Sequence, residues 1–293
     1  MNGPVAQMRP AEPDPLTLCG VAPLMASMSG DPRLVIGLID GPVAVDHPGL
    51  EPDRVRRMTM PADWRQGGPD GTFVAGVLVG RRGASAPGVC PGCLVVSRPV
   101  AGDALGDGEF AVSPNEIGAA IDDCLEAGVR ILNISVVLAP AAADGSAALI
   151  AALDRAARRG VLVVVAAEGV RAAAGSALAR HPWVVPVTAC TRSGSPLPVA
   201  HFSPRLRRHA LSAPGEDITS LDSPGGLATR SGAAVAVPFV TGAAALLWSA
   251  LPETGVDAVR HALLSTARGS RMVSGAPLMD AWAAFVHLRP LAV

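Results

Sequence analysis

Three carboxylates stand where an apolar run meets a glycine or a turn. Asp40 closes V-I-G-L-I-D at 35–40, Asp70 opens D-G-T-F-V-A-G at 70–76, and Glu168 follows L-V-V-V-A-A at 162–167. Carboxylates gathered at one place either trade protons or hold a hard cation through oxygen. Hydroxyls come second: Ser135 ends I-L-N-I-S at 131–135 and Ser231 precedes G-A-A-V-A-V-P, with Ser203 and Thr229 candidates by chemistry alone. A serine nucleophile needs a base within hydrogen-bond reach, an acid to orient that base, and donors for the oxyanion. The six histidines, at 47, 181, 201, 209, 261 and 287, offer none of these hydroxyls an obvious base. Thiols come third, at Cys19, Cys90, Cys93, Cys124 and Cys190.

The elements that must position these groups alternate along the chain. Near-continuous Val/Ile/Leu runs at 34–39, 94–98, 130–135, 161–166 and 184–189 read as strands covered on both faces. Helical stretches fall between and after them, at 71–80, 114–127, 146–159, 234–250, 255–266 and 276–287. Pro114 starts one helix, and Gly128 and Gly160 stop two others. Strands separated by helices imply crossover connections and a mainly parallel sheet, so the class is α/β with helices on both faces. Residues 1–32 are rich in Pro, Gly and Met without helical period and read as a loose N-terminal arm. Residues 33–293 read as one domain, which 293 residues suffice to build around a sizeable core.

Composition excludes several functions. A formal net charge of −1 gives no footprint for nucleic acid or for an acidic membrane. All basic side chains are arginine and tyrosine is absent, a bias that fits GC-rich coding rather than function. With 49% hydrophobic residues and a mean hydropathy of +0.38, no run still approaches the roughly 20 apolar residues of a membrane helix. Glu12, Asp14 and several prolines near the N-terminus do not make a signal peptide. The protein is therefore expected to be cytoplasmic, to carry no disulfide framework, and to need no metal or cofactor. Cys90-Pro-Gly-Cys93 reads as a Pro-Gly turn between two small apolar residues, with a local disulfide or redox role as the alternative. No second such pair completes a zinc site. Arg205, Arg207, Arg208 and His209 form a basic cluster that is either a solvated face or a dock for an acidic partner.

Five segments in order resemble the subtilisin-like serine proteases, the subtilases. V-I-G-L-I-D-G at 35–41 with D-H-P-G-L at 46–50 is similar to the segment ending on the family's catalytic aspartate, the place of Asp40. D-G-T-F-V-A-G resembles H-G-T-x-V-A-G, so Asp70 stands for the base histidine. I-L-N-I-S resembles the strand beside the substrate, and A-P-G at 213–215 is another landmark. L-V-V-V-A-A-E-G-V resembles V-V-V-A-A-A-G-N, which puts Val170 where an asparagine donates to the oxyanion. S-G-A-A-V-A-V-P-F-V-T-G at 231–242 resembles G-T-S-x-A-x-P with x-V-x-G, and its register puts Ala234 at the nucleophilic serine. The resemblance covers roughly residues 33–285 and implies a three-layer, mainly parallel α/β fold.

It also implies a site without its chemistry. Ala234 has no attacking oxygen, a carboxyl of ordinary pKa about 3.9 at Asp70 cannot shuttle a proton as imidazole does, and Val170 removes a donor worth about 3 kcal/mol. An engineered Ser-to-Ala change is disfavoured because two further positions have changed as well. In the parent fold Asp40 and Asp70 would face one another, with Glu168 near by. Close carboxylates raise one pKa, bind a cation or do new acid–base chemistry; alternatively Asp70 caps the helix that begins at Gly71. Ser135, Val136 and Val137 line the expected peptide cleft, and Val136-Val137-Leu138 replaces the family's glycine-rich edge, favouring an apolar, partner-covered surface. Within the family, L-I-D-G-P-V and A-P-G-E-x-I look most like cytoplasmic subtilases of cyanobactin-type peptide maturation. Three readings follow: a subtilase fold that binds a precursor peptide or a paralogous protease without cleaving it, an enzyme rebuilt on Asp40, Asp70 and Glu168, or a structural subunit whose cleft its own arm closes. An oligomer is compatible with each.

Overall fold

The computed structural model describes residues 14–58, 71–106, 109–139, 146–167, 176–197, 206, 209–223, 225–269 and 275–289. The chain enters through two short helices, α1 (Pro15–Leu18) and α2 (Ala22–Ser27), and reaches the first strand, β1 (Val35–Asp40). It continues as β2 (Val55–Arg57), α3 (Gly71–Val79), β3 (Leu94–Pro99), β4 (Asp103–Gly106), β5 (Glu109–Val112), α4 (Pro114–Glu126), β6 (Ile131–Ile134) and β7 (Val137–Leu138). Next come α5 (Ala147–Arg158), β8 (Leu162–Ala166), α6 (Ala177–Arg180), β9 (Val185–Cys190), β10 (Leu211–Pro214), β11 (Ile218–Asp222) and β12 (Gly226–Arg230). The helices α7 (Ala233–Ala250), α8 (Val256–Ser265) and α9 (Ala281–Leu288) complete it.

All five sequence-expected strands pair in a parallel sheet of order β10-β9-β8-β6-β1-β3-β2. Successive side chains of a strand point to opposite faces, and burial follows that alternation. Ile36, Leu38, Leu162 and Val164 join the core beneath α3 and α7, whereas Ile39, Leu132, Val163 and Val165 join the core beneath α4 and α5. Gly37 interrupts β1 where α4 comes close: a Cβ there would meet Leu132 at 2.8 Å and Cys124 Sγ at 3.1 Å.

Helix α7 is apolar on every face, and such a helix belongs inside. It packs on β6, β8, β9 and β10 with Trp248 1% exposed. By length and composition alone it is long and apolar enough to cross a membrane, contrary to the expectation that no segment comes near that limit; 83% of it is buried, so it serves as a core helix.

The N-terminal arm also differs from expectation. Asp14 caps α1 by accepting from Leu16 N–H and Thr17 N–H at 3.0 and 3.1 Å. Leu18, Cys19, Val21 and Leu24 are buried, and Ala281 N–H donates to the Cys19 carbonyl at 2.9 Å. Residues 14–32 are thus seated on the domain. Helices of four and six residues are too short to show a hydrophobic period, although Asp-Pro at 14–15 is a start signal.

Candidate active site

In a parallel sheet ligands bind beyond the carboxyl ends of the strands, where the strand order reverses. Here the reversal lies at β1, flanked by β3 and β6, and Asp40 is its last residue. Asp40 is 2% exposed and its Oδ1 accepts from Gly41 N–H at 2.8 Å. Its carbonyl accepts from Val100 N–H at 2.9 Å, which locks the strand end to β3's exit.

Helix α3 starts beside that end. A Cβ on Gly71 would collide with the Gly41 carbonyl, so glycine is what lets the helix begin this close. Thr72, fully buried, accepts from Ala44 N–H through its hydroxyl at 3.0 Å and ties the loop after β1 to the helix. Asp70, Glu168 and Val170 lie outside the described residues, so the carboxylate pair, the helix cap and the oxyanion position have no structural account.

Helix α7 starts at the same edge. Gly232, at φ 126, donates its N–H to the Gly215 carbonyl at 2.8 Å. A Cβ on Gly215 would sit 2.8 Å from the Gly232 carbonyl, which explains the glycine of the A-P-G landmark. Ala234 follows in the first turn, half-buried. Pro238 has no N–H and cannot donate to the Ala234 carbonyl, which loosens this turn from the helical ladder.

Other hydroxyls are engaged. Ser231 is exposed, and its Oγ accepts from Asp217 N–H at 2.9 Å. Thr229 pairs with Thr219 across the β11–β12 hairpin at 2.9 Å. Ser135 is 5% exposed and its Oγ accepts from Asn133 Nδ2 at 2.8 Å, while Thr241 of α7 donates to Asn133 Oδ1 at 2.9 Å. This buried chain Thr241–Asn133–Ser135 joins α7 to the strand beneath it, a link that sequence reasoning missed; the polar Asn133 inside an apolar run was its signal. Ser203 and His201 lie outside the described residues.

His47 has a structural task. Its Nδ1 accepts from Gly49 N–H at 2.9 Å, which leaves the proton on Nε2 to donate to the Gly226 carbonyl at 3.1 Å. The residue is 6% exposed and both bonds are part-buried. His47→Ala is expected to cost about 1–2 kcal/mol, read as a lower urea midpoint at unchanged slope; an unchanged midpoint would show that water replaces the ring. No cysteine among Cys19, Cys124 and Cys190 substitutes as nucleophile, because burial pushes each thiol up to about 12.

The strand after Ser135 is already partnered. Val136 is 3% exposed, and β7 pairs in parallel with β5, Ala111 opposite Val137 and Val112 opposite Leu138. Ala139 N–H donates to the Val112 carbonyl at 3.0 Å, and β4 covers the other edge of β5.

With this geometry in view, the model of the subtilase family matches residues 31–278. The chain belongs to the subtilase family. This subtilase is 29% identical over 260 residues to subtilisin amylosacchariticus from Bacillus subtilis subsp. amylosacchariticus, covering 85% of its own length and 65% of that relative. It is 29% identical to subtilisin from Bacillus pumilus, covering 90% of that protein. Among solved structures, the patellamide maturation protease PatA superposes with TM-score 0.75 at 27% identity, covering 88% of this chain and 97% of PatA's. The prenylagaramide maturation protease PagA superposes at 0.80 with 24% identity, over 92% and 99%, a likeness of fold.

Proposed function

We propose that this subtilase does not hydrolyse peptide bonds and instead holds a peptide, or an active protease partner, during maturation of ribosomally made peptide products. The observation that carries the reading is the methyl group of Ala234 in the first turn of α7, at the carboxyl edge of the sheet that Asp40 also reaches. The engaged state of Ser231, Ser135, Thr229 and His47 supports it, since these candidates for a rebuilt triad, among the described residues, already serve the fold. The likeness to PatA supports the setting of peptide maturation.

Loss of catalytic side chains leaves backbone recognition intact, because a bound strand is gripped by N–H and C=O groups. Among the described residues, β4 and β7 are the outer strands of the three-stranded sheet and each has an unpaired edge. A peptide adds there, or inserts by parting β5 from β7.

The test is a fluorophosphonate probe together with casein and p-nitrophenyl esters on the purified chain, followed by capture from the native host. No labelling, no turnover and recovery of a precursor peptide or a paralogous subtilase are expected. Stoichiometric labelling of any serine would overturn the reading.

A further inference from the structure

The turn Cys90-Pro91-Gly92-Cys93 takes no part in the site above. Cys93 N–H donates to the Cys90 carbonyl at 2.9 Å, and a turn closed this way holds its first and fourth Cα atoms within about 7 Å. A disulfide spans Cα separations of about 4.4–6.8 Å. The two thiols hydrogen-bond to each other, and both residues are fully buried.

The segment before β1 covers one side of them, and the core with Ser249 of α7 lies on the other. Gly92 N–H donates to the Ser29 carbonyl at 2.6 Å. Gly30, at φ 99, lies directly over the pair: a Cβ there would come within 2.6 Å of Cys93 Sγ and 3.4 Å of Cys90 Cβ. Arg82 fastens the same segment, its guanidinium donating to the carbonyls of Met25 and Met28, and to that of Val89 at 3.2 Å. The two sulfurs are also unlike. The hydrogen bond from Cys90 holds the Cys93 thiol below its ordinary value, while the same bond and burial push Cys90 up.

We propose that Cys90 and Cys93 form a dithiol–disulfide site, covered by residues 28–31 and open to a small disulfide such as oxidised glutathione when that cover lifts. The Cys93 thiolate attacks one glutathione sulfur, forming a mixed disulfide and expelling a glutathione thiolate. Cys90 then gives up its proton and attacks Cys93 Sγ, closing the protein disulfide and expelling the second thiolate. The balance is two protein thiols plus one oxidised glutathione giving one protein disulfide and two reduced glutathiones, with Cys93 the attacking group.

The experiment treats the folded full chain with oxidised glutathione and follows intact mass and peptide maps. The wild type is expected to lose two hydrogens, retain no glutathione and show the 90–93 link. Cys90→Ser is expected to stop at a mixed disulfide on Cys93, and Cys93→Ser to react far more slowly. Gly30→Ala is expected to raise the rate about tenfold, a cover weakened by about 1.4 kcal/mol. Arg82→Met frees the Met25, Met28 and Val89 carbonyls and also removes a positive charge that favours the Cys90 thiolate, so it is expected to raise the rate of the first step, mixed-disulfide formation on Cys93. A folded wild type that stays fully reduced, or equal rates in wild type and both cover variants, would overturn the proposal.

Discussion

Ala234→Ser, made alone, is expected to leave the protein without measurable turnover of peptide anilides. A serine in the first turn of α7 regains the oxygen but not the base. By the register of its motif, residue 70 holds a carboxylate where the family has an imidazole; the unperturbed groups titrate at about 3.9 and about 6.5, and a carboxylate ionised near neutral pH is a poor acceptor for a hydroxyl proton and has no proton to give the leaving group. By the register of its motif, residue 170 holds valine where the family has an asparagine donor, a loss of about 10²–10³ in rate. Groups that act as a unit are lost and regained together. Ala234→Ser with Asp70→His and Val170→Asn is therefore expected to give slow but measurable hydrolysis, because Asp40 already ends β1 at the carboxyl edge where α7 begins. Single-turnover acylation of each variant by a p-nitrophenyl ester is the measurement. Appreciable turnover from the single change would mean that another group serves as base.

Asn133→Leu is expected to destabilise the fold by about 2–4 kcal/mol, since each buried hydroxyl left without its partner costs about 1–3 kcal/mol. Asn133 accepts from Thr241 and donates to Ser135, so one substitution orphans two groups in a fully buried position between α7 and β6. Adding Thr241→Val removes one orphan and is expected to return part of the loss, a positive coupling that a double-mutant cycle in urea reads directly. If the two costs simply add, the polar chain carries no cooperative link and α7 is held by apolar contact alone.

Much of the scaffold was legible because the strands that build the sheet centre are covered on both faces. Such strands are written as unbroken Val, Ile and Leu, as in L-V-V-V-A at 162–166. The longer helices were equally legible, α4 from Pro114 to Gly128 and α7 from its apolar length, although the helix expected from 276 begins only at Ala281 because Leu278 bridges Ser212 and Arg268 instead. What escaped lies where one face meets solvent or the element is short. β2 reads V-R-R with two exposed residues, and β10 reads L-S-A-P, four residues at the end of the sheet order. The β5–β7 pairing escaped because register between distant short segments leaves no trace in either one. At the site, Asp40 ends β1 and Ala234 lies in the first turn of α7. That Ser231 is engaged could not be read from sequence, since its partner is the Asp217 N–H, a backbone group that any residue supplies; a structural role for His47 was implied by its H-P match, but its partners Gly49 and Gly226, again backbone groups, were not.

The place of α7 in the chain sets the order in which this molecule can be made. The sheet face beneath it is built from β6, β8, β9 and β10, all synthesised earlier, while the helix that covers them ends at Ala250. A ribosome therefore releases most of the sheet before the element that dries one of its faces. Until then Val164, Val187 and Leu211 face water or a chaperone. The central strand waits similarly, because β1 must hold its place until β3 and β6 arrive from about sixty and ninety-five residues downstream. Parallel pairing over such separations is slow and exposes apolar edges on the way. Nascent chains halted before residue 233 are expected to be captured by holdases, and chains carried past 250 to escape them, so the late helix acts as the latch of biosynthesis.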